Sequence, residues 1–317
     1  MNKKIQIIRA LAICAVVMIH SNTDGVVGVG VRPFINYAVA MFIFCSGYLT
    51  KLEINDLGSF YKKRIGRVIV PYLLWSLIYT VAYGSYSSLI VNLLTANAHH
   101  SFYYIFVYIQ LVLLTPAIGR LLKSKYRWIG WTIAPISVLI IRYICTFAGV
   151  ELGFPFPATL CLVWFTYYYL GLGLGNHVFE YGDSWKKTIG MYAVVLLLSE
   201  VEGFVWMIYG NYDLATSQVR LTSILTSTVA CLLAYRYIKD DGVELADSLL
   251  SRALITIGNC SFGIYLSHNL VMSVLERVPG YGYLFFPLRS IVILAVTTLC
   301  VMAGHRVLGR YAKLAGL

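Results

Sequence analysis

Ten apolar blocks, each close to 20 residues, recur along the chain at about 5–22, 34–51, 67–83, 102–120, 128–147, 158–177, 188–208, 219–238, 253–273 and 285–304. A helix of ~20 residues, rising ~1.5 Å per residue, crosses a hydrocarbon core of ~30 Å. Inside that core only helices and closed barrels satisfy every backbone polar group. Charged residues make up 12% of the 317, about half the share of an ordinary soluble domain. The sequence therefore predicts an all-α, polytopic transmembrane helical bundle of about ten spans.

The formal charge of +11 invites a nucleic-acid reading, but its distribution points to membrane topology. Nineteen of the 25 lysines and arginines fall in one alternating set of loops, among them Lys3, Lys4, Lys62, Lys63, Arg64, Arg67, Arg236 and Lys239. Five fall in the other set (Arg32, Arg142, Arg220, Arg277 and Arg289), and Arg9 lies inside the first block. By the positive-inside rule both termini are expected in the cytoplasm, which needs an even number of spans. Residues 1–317 read as a single integral membrane domain, because the longest polar loops, near 52–66 and 239–251, are too short to fold alone. The first block is expected to be a retained helix rather than a cleaved leader, since Arg9 and His20 interrupt it.

Ionisable groups in hydrocarbon are costly and are usually paired or functional. Arg9 and His20 bracket the run RALAICAVVMIH. Eleven residues at ~100° each bring them to nearly one helix face, ~16 Å apart along the axis. They cannot touch, yet they can line one cavity. Asp24, a turn later, is placed to orient the imidazole or to sit in solvent. In SFYKKRIGRVIVPYLLW (59–75), Lys62, Lys63, Arg64 and Arg67 lead into a helix expected to begin around Pro71. Arg64 and Arg67 are one turn apart and can converge on a phosphate, or can serve as ordinary interfacial charge. FIFCSGYL (42–49) closes the second block with Ser46, Gly47 and Tyr48, the glycine allowing close helix approach. HHSFYYIFVYIQLVLLTP (99–116) offers His99, His100 and Gln110, and ITIGNCSFGIYLSHN (255–269) offers Ser261 and His268. No cysteine pair or carboxylate cluster accompanies these histidines, so no metal is expected. Glu200 and Glu202 lie near the same outer level as Arg142 and Arg220, and their pairing stays open.

These segments, with WFTYYYLGLGLG (164–175), occur in one order over nearly the whole chain. The chain in this respect resembles the membrane-bound acyltransferase-3 family, the O-acyltransferases of cell-envelope polysaccharides. The family's fourth block usually has one histidine before an aromatic pair; here His99 and His100 both stand there. The resemblance implies a bundle of about ten spans in a bacterial plasma membrane. It implies an acyl group, commonly acetyl, passed from cytoplasmic acyl-CoA to a hydroxyl of an extracytoplasmic glycan or lipid-linked sugar. By motif match, Arg9 and His20 correspond to the family's essential pair, Ser46-Gly47-Tyr48 to its structural turn, and Arg64 and Arg67 to its cytoplasmic R-x-x-R.

The chemistry of the residues is compatible with that implication. A basic mouth of Lys62, Lys63, Arg64 and Arg67, with Arg9 beyond it, suits the phosphates of coenzyme A. His20 suits a general base for a sugar hydroxyl, or a transient acyl carrier. Tyr48, Ser46 and Gln110 are possible donors to developing oxyanion charge. The expected partners are a coenzyme A thioester (acetyl-CoA first), a saccharide acceptor and membrane lipids, not nucleic acid; an oligomer is possible. The rival reading is a transporter or exporter of a glycan or acyl compound without catalysis. A sensing module without chemistry leaves Arg9 and His20 unexplained.

Overall fold

The computed structural model describes residues 2–84, 86–95, 98–150, 152, 156–240, 242 and 247–317, so part of the 239–251 loop lies outside the described residues. Every regular element among them is helical. The long helices are α1 (Lys3–His20), α2 (Gly25–Ile35), α3 (Ala38–Tyr48), α4 (Leu57–Tyr83), α5 (Tyr103–Lys123), α6 (Ile129–Phe147), α7 (Phe165–Gly175), α8 (Trp185–Ile208), α9 (Leu221–Lys239), α10 (Leu249–Leu275) and α11 (Leu288–Leu308). Eight helical stretches among the described residues, from Gly25–Tyr48 to Leu288–Ala315, are long and apolar enough to cross a membrane. The remaining two blocks correspond to α1, which carries Lys3, Lys4 and Arg9 over 18 residues, and to the shorter apolar stretch Cys161–Gly175.

α1 is the axis of the bundle. It starts at Asn2, whose side chain accepts a hydrogen bond from the Lys4 amide at 2.9 Å and so satisfies one orphan donor of the first turn. Its side chains from Ile5 to Val17 are buried on almost every side, so it carries no broad lipid-facing stripe. It packs most extensively on α10, because Gly258 lets the two backbones meet: a Cβ there would lie 2.0 Å from the Gln6 carbonyl. α3 and α7 cross in the same way, with Gly47 against the Tyr168 carbonyl and Gly171 against that of Phe44. Small residues at a helix crossing are how membrane bundles gain packing without a hydrophobic drive between helices. Gly47 thus sits where α3 and α7 approach closely, and its helix continues unbroken through it.

Two hydrogen bonds orient the bundle. Lys4 Nζ donates to the Asp240 carbonyl at 2.5 Å, and Arg64 donates to the Leu49 carbonyl at 3.0 Å. The starts of α1 and α4 and the ends of α3 and α9 thus share one end, called here the basic end. His20, at the other terminus of α1, belongs to the opposite end.

Two boundaries differ from expectation. α4 begins at Leu57, well before Pro71, so the basic run is already helical. Asp56 caps it, accepting from the Gly58 amide at 2.9 Å, and the helix tolerates Pro71 inside it. The second span begins at Gly25 rather than 34, as α2 and α3 follow each other through Asn36 and Tyr37.

Candidate active site

A cavity of about 420 Å³ runs through the centre of the bundle. Near the basic end it is lined by Arg64, Arg67, Leu49 and Ser46, and midway by Arg9, Cys45, Phe42 and Ser261. Toward the opposite end the lining passes to His20, Ser101, Tyr103, Arg32 and Gln218. Arg9 and His20 thus face one space, as their spacing on α1 requires. Arg64 and Arg67 open into the same space, and Arg64 also ties α4 to the end of α3 through the Leu49 carbonyl.

Four arginines line the cavity, and no aspartate or glutamate does among the described residues. Arg9 has Gln6 Oε1 as its hydrogen-bond partner, at a long 3.5 Å, and no carboxylate within salt-bridge distance among those residues. A cavity with this lining favours anions. A buried cation without a counter-ion is expensive, and such groups in membranes mark substrate or ion pathways.

His20 is half-buried, open to the cavity, and makes no hydrogen bond among the described residues. Its neighbour is His268, with ring centroids 5.1 Å apart and planes tilted by 53°. His268 Nδ1 lies 3.0 and 2.9 Å from the carbonyls of Ile264 and Tyr265, so Nδ1 carries the proton and donates to them. Its Nε2 is consequently an acceptor; it is buried and has no partner. Two imidazoles thus stand at the end of an anion-favouring cavity, one tied to the backbone and one free to exchange a proton.

The other expected residues divide into two groups. Ser46 lines the cavity with its hydroxyl buried and unpaired, and Ser261 does the same. Tyr48 stacks on Phe44 off the cavity lining. Gln110 is consumed structurally: it donates to the Thr159 carbonyl at 2.8 Å and accepts from the Cys161 amide at 3.3 Å. Neither Tyr48 nor Gln110 is available as an oxyanion donor here. Lys62 and Lys63 are exposed on α4 outside the cavity. Asp24 is exposed and bonds to nothing near the imidazole among the described residues; the group beside His20 is His268. His99 caps the start of the α5 region, accepting from the Ser101 amide at 3.3 Å against the Tyr79 ring, while His100 is exposed.

Sequence reasoning missed Arg32, Tyr103 and Gln218, which line both the main cavity and a smaller one of about 100 Å³ beside it. The smaller cavity is completed by Arg142, Asp213 and Trp164 among others. Arg32 had the form of an ordinary loop charge; its position inside an apolar helical stretch, GVVGVGVRPFI, was the available signal.

No curated protein and no solved structure matched the chain. A family model described as an acyltransferase domain matches residues 2–306, essentially the whole length and including every segment that lines the cavity. Eight membrane-length apolar helices and this match together make the protein a multi-pass membrane acyltransferase, and the chain belongs to the acyltransferase-3 family.

Proposed function

We propose that the protein transfers an acyl group, acetyl in the simplest case, from cytoplasmic acyl-CoA to a hydroxyl of an extracytoplasmic glycan or lipid-linked sugar, in a bacterial plasma membrane. The observation that carries this reading is the single cavity joining Arg64 and Arg67 at the basic end to His20 at the other, past Arg9. By the positive-inside rule the basic end, where α1 begins, is the cytoplasmic face. Family membership favours catalysis over export without chemistry.

The arginines at the mouth match the phosphates of coenzyme A, one turn apart on α4 and able to offer paired N–H donors. Lys62 and Lys63 raise the local concentration of the anion from outside the lining. Arg9, midway, presents guanidinium donors to the amide carbonyls of a slim pantetheine arm. The thioester supplies an activated acyl carbon. His20 accepts the proton of the sugar hydroxyl as its oxygen bonds to that carbon, and returns it to the sulfur as the carbon–sulfur bond breaks. Transfer thus leaves an ester and a free thiol, with the imidazole restored. General base catalysis of this kind contributes ~10²–10⁴-fold. His268, its own proton committed to the backbone, packs beside that ring as a neutral acceptor.

The test is His20→Ala in cells, with surface-glycan acyl content and protein abundance measured together. Acylation is expected to fall at least 10²-fold at unchanged abundance. Normal acylation by a normally abundant variant would remove His20 from the mechanism. Turnover of acyl-CoA by purified protein, dependent on an acceptor, separates this reading from a pure exporter.

A further inference from the structure

Arg32 is not accounted for by the transfer step. Its Nε donates to the Thr216 carbonyl at 2.6 Å, which uses one of its five N–H donors. The terminal nitrogens have no hydrogen bond among the described residues, and no carboxylate there lies within salt-bridge distance. Asp213, the carboxylate on the adjoining small cavity, is already held by Arg142 at 2.5 Å. Tethering Thr216 would need only a neutral donor, so the charge itself is unexplained by packing.

The position of this charge is informative. Arg32 and Gln218 sit where the main cavity meets the small one, on the side away from Arg64 and Arg67. Gln218 Oε1 is buried and has no hydrogen-bond partner. The junction therefore presents a planar cationic fork beside an unsatisfied acceptor. A carboxylate matches the fork in size and geometry, and a hydroxyl matches the acceptor. Among the sugars that the proposed reaction takes as acceptors, uronic acids carry both groups on adjacent ring carbons.

We propose that Arg32 and Gln218 form an acceptor subsite that takes a uronic-acid-type sugar, its carboxylate on Arg32 and a neighbouring hydroxyl on Gln218. This rests on the reading of the cavity as an O-acyltransferase site, and it adds the acceptor's class to it. A dicarboxylic acyl group would use Arg32 but would leave Gln218 unpaired, which is why the acceptor is the better fit.

The experiment compares binding of methyl glucuronoside and methyl glucoside to the purified full-length protein in detergent, by calorimetry, in the wild type, R32Q and R32K. The expected result is a preference for the glucuronoside of roughly ten- to a hundredfold, the worth of a charge-assisted pair. That preference is lost in R32Q and partly kept in R32K. Equal binding of the two glycosides by the wild type overturns the proposal, and that comparison needs no variant to fold. A preference that survives in R32Q, with an unchanged elution profile, also overturns it. A preference instead for succinyl-CoA over acetyl-CoA, with equal glycoside binding, moves Arg32 to the donor side and likewise overturns it. Because binding is read without transfer, the subsite and the role of His20 stand or fall separately.

Discussion

Arg32 and Arg220 hold adjacent carbonyls, those of Thr216 and Ala215, at the end of the short helix Tyr212–Thr216, yet their surroundings differ. Arg220 is fully buried and spends its donors: on the Ala215 carbonyl at 2.5 Å, on the carbonyl and hydroxyl of Ser199 at 2.8 Å each, and on Ser223 Oγ at 3.2 Å. Glu202 lies 3.9 Å away and is itself bonded by Tyr143, Trp206 and Thr222. Arg32 holds the Thr216 carbonyl and leaves the rest of its fork facing a cavity. Arg220 closes a network across α6, α8 and α9. Arg32, like Arg9, keeps donors unspent. A buried charge that is fully paired is architecture, whereas one left open at a cavity is available to a ligand.

The sharpest way to break this comparison is Arg220→Met. Removing one member of a closed buried network leaves the buried Ala215 and Ser199 carbonyls without their donor and Glu202 without its counter-charge, at a cost of about 3–5 kcal/mol. The protein should fail to accumulate, or should lose most of its thermal stability in detergent. A variant as stable as the wild type would show that the network is not structural. Arg9→Met is the opposite case. No carboxylate among the described residues is stranded by it, so stability should stay within ~1 kcal/mol of the wild type or rise, as it does when a functional group is traded for packing. Acyl transfer should be lost all the same. A large fall in melting temperature would place Arg9 with Arg220 rather than with the cavity. Arg64→Ala and Arg67→Ala should have the smallest effect: KM for acyl-CoA up about tenfold each, with kcat nearly unchanged, since they hold the nucleotide away from the reacting atoms. A fall in kcat alone would put them nearer the chemistry than the geometry does.

The same contrast explains what was legible before the structure. Apolar blocks of membrane length and the alternation of basic loops exposed the helical bundle, because the bilayer imposes both on composition directly. Arg9 and His20 could be joined because they share one helix, where 3.6-residue periodicity fixes relative faces. Nothing local joins His20 to His268, which are 248 positions apart and meet only through the close packing of α1 on α10 at Gly258. Nearness along the chain leaves Asp24 either beside the imidazole or in solvent, and the turn after α1 sends it into solvent. Glu202 and Arg220 do pair, while Arg142 takes Asp213 instead of a glutamate; charge inventory alone could not have distinguished these. Pro71 has the form of a helix start, yet α4 begins earlier because the Asp56 side chain already caps it.

The most direct measurement is a structure of the protein with coenzyme A bound. The phosphates should lie against Arg64 and Arg67, and the sulfur should reach to within about 3–4 Å of the His20 ring, the range of a near-attack arrangement. A nucleotide seated at the opposite mouth, or a sulfur that stops short of Arg9, would contradict the account.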